Sequence, residues 1–111
     1  MPHDPRKSLE DMRRAADFLL NLTAGRTLDD YRKDEILRTV VERKFEIIGE
    51  ALNRLQKADP VLASQIPDQR QIISFRNILI HGYDNVDEEI VWKIVTYDLP
   101  ILKQRLDVLV A

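Results

Sequence analysis

The residues best suited to chemistry lie close together: Arg76, Asn77, His81 and Tyr83 in the run Phe75-Arg76-Asn77-Ile78-Leu79-Ile80-His81-Gly82-Tyr83. Arg76 and Asn77 interrupt an otherwise apolar helical stretch, and His81 follows Asn77 by one helical turn, so those two share a face. Arg76 precedes His81 by five residues and points away from it on an ideal helix. The length of the arginine side chain and an opening of the helix at Gly82 let both reach one phosphate. A histidine at the negative end of a helix has its imidazolium form stabilised and titrates near neutrality. Such an imidazole can take the proton from an RNA 2′-hydroxyl, and a second can protonate the departing 5′-oxygen. Arg76 would place fixed positive charge on the transition state through bidentate hydrogen bonds, and this route needs no metal. His3, the other histidine, sits in a terminus expected to fray. One chain thus supplies half of an acid–base pair, and a twofold dimer that joins two copies of His81 supplies both.

Taken alone, an Arg-x4-His spacing is weak evidence. A lone histidine near a helix end usually caps it, a lone arginine is usually solvated, and a lone tyrosine usually packs beside a turn. Glu46 and Glu50 are one turn apart but have no histidine companion at metal-ligand spacing, so a structural pairing with Arg76 or Arg43 is the better reading. Trp92 reads as core or interface rather than a base-stacking platform.

The elements that must position these residues are helices. The 111 residues bound a single domain, 1–111, and the 44% apolar and 32% charged content describes a globular chain. Three glycines beside many Leu, Ile, Glu, Arg and Lys favour helix. No cysteine is present, which rules out disulfides and thiolate metal sites and suits a reducing cytoplasm. The start, Met1-Pro2-His3-Asp4-Pro5, lacks the apolar segment of a signal peptide, and no apolar run is long enough to span a bilayer. The net charge of −2 excludes a general polycation, so RNA binding must use a local basic patch, and DNA is not expected as a partner.

Punctuation at Gly25, Pro60, Pro67, Gly82 and Pro100 separates four helical segments. The first is expected after a Ser8 cap, with Leu9, Met12, Ala16 and Leu19 facing inward until Gly25. The second follows an Asp29 cap and runs to Ala58, before Asp59-Pro60. Its apolar residues Leu37, Val41, Phe45, Ile48, Leu52 and Leu55 form a stripe widened by Ile36, Val40 and Ile47, broad enough to serve a second subunit. Gly49 within it costs about 1 kcal/mol relative to alanine and marks a close approach. Val61 to Pro67 forms a short helical turn or ordered loop. A third helix, capped by Asp68, carries Ile72, Ile73, Phe75, Leu79 and Ile80 and stops at His81-Gly82. Asp87 caps the fourth, with Glu88 and Glu89 in its first turn. Ile90, Val91, Ile94, Val95, Leu99, Leu102, Leu106 and Leu109 form its apolar face, and Pro100 is expected to kink it. No strand pattern appears, so the expected fold is an all-α, up-and-down bundle.

With these residues in place, the chain resembles the HepT-like branch of the HEPN superfamily. Phe45-Glu46-Ile47-Ile48-Gly49-Glu50-Ala51 is similar to that family's "IGEA" signature. Arg76 to Tyr83, followed by Val86-Asp87 and Val91-Trp92, resembles its active-site helix and the start of its last helix, and Asp98-Leu99-Pro100 its proline-containing segment. The resemblance covers nearly the whole chain. It implies a four-to-five-helix bundle that homodimerises around a composite cleft, without a cofactor. It also implies a metal-independent endoribonuclease toxin paired with a nucleotidyltransferase antitoxin of the MntA type, as in type II/VII-like toxin–antitoxin systems. In that family's terms Arg76 and His81 are the catalytic pair, Asn77 their polar support, and Tyr83 the tyrosine that receives AMP. The alternative is a non-catalytic HEPN module that binds a nucleotide or partner for the nucleotidyltransferase. A plain helical scaffold fits less well, because it leaves Arg76-Asn77 unexplained.

Overall fold

The computed structural model describes residues 4–67, 69, 72–73 and 87–111. These residues are almost entirely helical, and no strand occurs among them. The protein is all-α.

Helix α1 spans Pro5–Thr23. Its cap is Asp4, whose carboxylate accepts a hydrogen bond from the Arg6 amide at 2.9 Å. Pro5 follows at the first helical position, where a missing N–H costs nothing. The expected Ser8 cap is therefore corrected: Ser8 lies inside the helix and is buried. It stands just before the first apolar residue, where a cap would stand if the helix began with its core face. Leu9, Met12, Ala16 and Leu19 point into the core as expected. The helix closes at Ala24-Gly25, where Gly25 takes the left-handed conformation at φ 75° that suits glycine.

The expected helix from Asp29 to Ala58 is two helices, α2 (Leu28–Lys33) and α3 (Glu35–Ala58). Thr27 and Asp30 form a reciprocal capping box, with the Thr27 amide donating to Asp30 at 2.9 Å and the Asp30 amide donating to Thr27 at 3.1 Å. Those hydrogen bonds, the backbone one first, hold the Asp30 carboxyl below its ordinary range. Asp29 sits in the first turn of α2 and pairs with Lys33 at 2.8 Å. Asp34 is extended and ends α2, while its side chain accepts from the Leu37 amide at 3.1 Å and starts α3. The break lets Tyr31, from a segment rich in charge, turn fully into the core.

The stripe on α3 is where spacing placed it: Leu37, Val41, Phe45, Ile48, Leu52 and Leu55 are all buried, and so is Gly49. Of the residues that widen it, Val40 and Ile47 are half-buried and Ile36 is 77% exposed. Asp59 caps a short helix, α4 (Pro60–Ala63), accepting from the Leu62 amide at 3.0 Å. Residues 69, 72 and 73 are helical, and Ile72 and Ile73 pack on the core. The Asp68 cap, Phe75, Leu79, Ile80 and the stop at His81-Gly82 lie outside the described residues.

Asp87 starts helix α5 (Glu88–Lys93), accepting from the Glu89 amide at 2.9 Å. A π turn over Ile94–Asp98 leads into α6 (Leu99–Val110). The disruption expected at Pro100 takes the form of this wide turn, with the Leu99 amide reaching back to the Ile94 carbonyl. The extra residue per turn eases the ring of Pro100 past the preceding carbonyls. Val91, Ile94, Val95, Leu99, Leu102 and Leu106 are buried as expected, whereas Ile90 is 53% exposed.

α1 packs against both α3 and α6. Arg54 on α3 pairs with Asp11 and Lys44 covers the Phe18 ring, so numbering falls along α3 as it rises along α1. Arg13–Asp107 and Asp17–Lys103 show the same reversal between α1 and α6. Both neighbours are antiparallel to α1, as an up-and-down bundle requires.

Candidate functional site

Arg76, Asn77, His81 and Tyr83 lie outside the described residues. The polar clusters that the structure does describe are carried by α2, α3 and α5.

On α3, Arg43 meets Glu46 at 3.1 Å and stands 4.0 Å from Glu50. Of the two structural partners considered for these glutamates, the Arg43 pairing is present, while the Arg76 one falls outside the described residues. Among the described residues no group of three His, Cys, Asp or Glu side chains is placed to hold a metal ion.

A second cluster joins all three elements and was not anticipated from sequence. Tyr31 on α2 is buried against Trp92 on α5, with ring centroids 5.4 Å apart and planes tilted by 32°. This contact assigns Trp92 to the core. Beside it, the Arg32 guanidinium lies 2.9 Å from Glu89 and 3.5 Å from Glu88. From α3, the Arg38 guanidinium donates to the Tyr31 and Arg32 carbonyls, two of the groups left open at the end of α2. The one signal in the sequence was Tyr31 itself, a lone aromatic within Asp29-Asp30-Tyr31-Arg32-Lys33. Partners 57 positions away leave no local pattern.

Burial pushes the Tyr31 hydroxyl well above its ordinary range, and the negative charge of Glu42 and Glu88 adds to the effect, with Arg38 opposing it. Glu42, on α3, is also raised, first by burial and then by Glu46 and Glu88, with Arg38 pulling the other way. A carboxyl raised in the folded state favours folding below its unfolded value and loses that contribution as pH climbs through the folded one. Glu42→Gln is therefore expected to leave stability unchanged in acid. Above the ordinary glutamate value of about 4.3 the variant should gain on wild type as pH rises towards neutrality. Urea unfolding across that range checks this, and a difference independent of pH would contradict it.

No helix among the described residues is long and apolar enough to cross a membrane. A family model described as "Ribonuclease HepT-like" matches residues 12–109, a span that includes the whole Arg76 to Tyr83 run. Three relatives are similar over most of their length. A protein of Caldanaerobacter subterraneus subsp. tengcongensis named as a candidate RNase is 33% identical over 101 residues, covering 91% of this chain and 89% of the relative. A candidate HepT ribonuclease of Thermococcus cleftensis is 33% identical over 99 residues, covering 89% of each. A candidate RNase of Methanocaldococcus jannaschii is 29% identical over 105 residues, covering 95% of each. No solved structure gives a significant match.

Proposed function

Since the chain belongs to the HepT-like ribonuclease family, we propose that it is a metal-independent endoribonuclease whose catalytic pair is Arg76 and His81. The observation that supports this most strongly is the Arg76-x4-His81-x-Tyr83 motif inside a family match covering residues 12–109. The chemistry follows from the residue types. One His81 imidazole accepts the 2′-hydroxyl proton, and the freed oxygen attacks the adjacent phosphorus. The bond from phosphorus to the 5′-oxygen breaks, and that oxygen takes a proton from the imidazolium of His81 on a second copy. Arg76 hydrogen-bonds the phosphoryl oxygens as charge builds on them. Asn77, the polar residue beside it, supports that geometry. The products are a 2′,3′-cyclic phosphate and a 5′-hydroxyl, and two copies of the chain are needed at one composite site.

The second half of the reading concerns control. Tyr83, two residues after His81, is the proposed acceptor of AMP from a nucleotidyltransferase antitoxin. The tyrosine oxygen attacks the α-phosphorus of ATP and pyrophosphate leaves. The new phosphodiester stands where RNA would place its own phosphate and excludes it by bulk and charge.

The test is incubation of an RNA strand and a DNA strand of the same sequence with excess EDTA. The RNA should fragment, with cyclic phosphate ends, and the DNA should survive because it has no 2′-hydroxyl. RNA left intact under conditions of full folding would overturn the proposal.

A further inference from the structure

We infer that the outward ridge of α6, formed by Tyr97, Ile101, Gln104 and Val108, is a face on which a second copy of this chain docks. The ribonuclease reading calls for a second copy, but this face is read from described residues alone and goes beyond that reading.

Helix α6 is apolar on two sides. Leu99, Leu102 and Leu106 are buried in the bundle, and Leu109 packs on the same core. On the other side Tyr97, in the π turn, is 69% exposed, Ile101 54% and Val108 65%. Gln104, between the last two, is exposed as well. These four follow one another by four, three and four residues, the spacing of a second helical seam. The other large apolar side chains open to solvent among the described residues are Phe18, Ile36, Val61 and Ile90. They stand one each on α1, α3, α4 and α5. Single exposures of that kind are ordinary on a protein surface, whereas a row along one helix is not.

Charge decides what can cover the row. The chain is 32% charged, yet none of the four ridge residues carries a charge. Of the charged residues on α6, two are drawn towards α1: Asp107 meets Arg13 at 3.0 Å, and Lys103 lies 3.9 Å from Asp17. Arg105 is left on the outward side, where it lines a shallow groove with Ile101, Gln104, Val108 and Pro67. A nucleic acid or a charged partner surface would strand its charges against this row. An uncharged counterpart matches it, and the chain carries one, the same row on another copy. A twofold axis beside Gln104 sets Ile101 and Val108 against apolar side chains and lets the two amides exchange hydrogen bonds. β-Branched side chains at one seam position and a single polar one at the other favour pairs in a fixed register.

Area sets the strength. Three exposed apolar side chains offer on the order of a few hundred Å², short of the roughly 800 Å² that each partner buries in a standard interface. With 12 residues in α6, the contact runs for roughly 18 Å. The groove beside Pro67 and the stem of Arg105 add to it. The dimer is therefore reversible, with a dissociation constant of roughly micromolar order.

The experiment is sedimentation equilibrium of the full chain from roughly 1 μM to 1 mM. Wild type should pass from monomer to dimer across that range. Ile101→Glu should raise the dissociation constant at least about a hundredfold, because the twofold axis brings the new charge in twice. Ile36→Glu, at a more exposed site away from the ridge, should leave it unchanged, and all three should unfold at the same temperature when dilute. The chain has no cysteine, so Gln104→Cys adds a single thiol. Mild oxidation should link two copies through it, which requires Cα atoms within about 7 Å. Wild type that stays monomeric throughout overturns the inference. So does a dimer that Ile101→Glu leaves intact and Gln104→Cys does not link. If wild type alone is monomeric and Ile101→Glu loses binding of a nucleotidyltransferase, the face belongs to that partner and the inference falls. Wild type that pairs through the ridge but leaves RNA intact in EDTA sinks the ribonuclease reading and keeps this one. RNA cleavage by a chain whose dimer survives Ile101→Glu does the reverse.

Discussion

Arg76→Ala is expected to slow metal-free RNA cleavage by about 10²–10³-fold, the loss typical of removing one donor aimed at a developing oxyanion. The reasoning starts from the sequence position. Arg76 and Asn77 are the polar intrusion in an otherwise apolar run, and the planar guanidinium of arginine is suited to bidentate binding of an anion. A phosphate whose charge grows during reaction is such an anion. Because the interaction strengthens in the transition state, the loss should appear in kcat more than in KM. Arg76→Lys is expected to recover only part of the rate, since an ammonium supplies a point charge without the planar fork. Single-turnover cleavage with EDTA measures both variants. Wild-type rates in Arg76→Ala would remove arginine from the catalytic pair.

The second large effect concerns Tyr83. After incubation with the cognate nucleotidyltransferase and ATP, wild-type protein should gain AMP-sized mass and lose its cleavage of RNA. Tyr83→Phe lacks the attacking oxygen, so under the same treatment it should keep its mass and remain active. Each added AMP brings an anionic phosphodiester next to a site built to accept one, so sterics and charge act in the same direction. Intact-mass measurement paired with cleavage on the same sample tests this. Fully modified protein that still cleaves would contradict the control mechanism, and so would modification that survives in Tyr83→Phe.

Much of the bundle was legible from spacing, and the failures have physical causes. The steps of 4, 4, 3, 4 and 3 from Leu37 to Leu55 identify a helix face, because only one rotation buries all six residues. Asp87 announced α5 through the acidic first turn behind it. Asp4 and Asp34 were missed because a cap is a choice among several nearby Ser, Thr and Asp residues. Packing decides that choice, and here it placed Ser8 in the core and turned Tyr31 inward. Pro100 signalled disruption but not its form, since a kink and a π turn relieve the same steric conflict. The candidate site was legible as residue types, whereas the links between distant helices were not legible in the sequence. Arg32 and its partners Glu88 and Glu89 are joined only by folding, as are Tyr31 and Trp92. The glutamates of the Phe45–Ala51 signature lie beside Arg43, Glu46 at 3.1 Å and Glu50 at 4.0 Å.

The catalytic proposal depends on His81 moving protons during RNA cleavage. The most direct measurement is the rate of RNA cleavage in excess EDTA by wild type and by His81→Ala, purified identically and shown to unfold at the same temperature. A general acid–base histidine predicts a fall of about 10²–10⁴-fold in the variant. Equal rates for the two proteins would contradict the account.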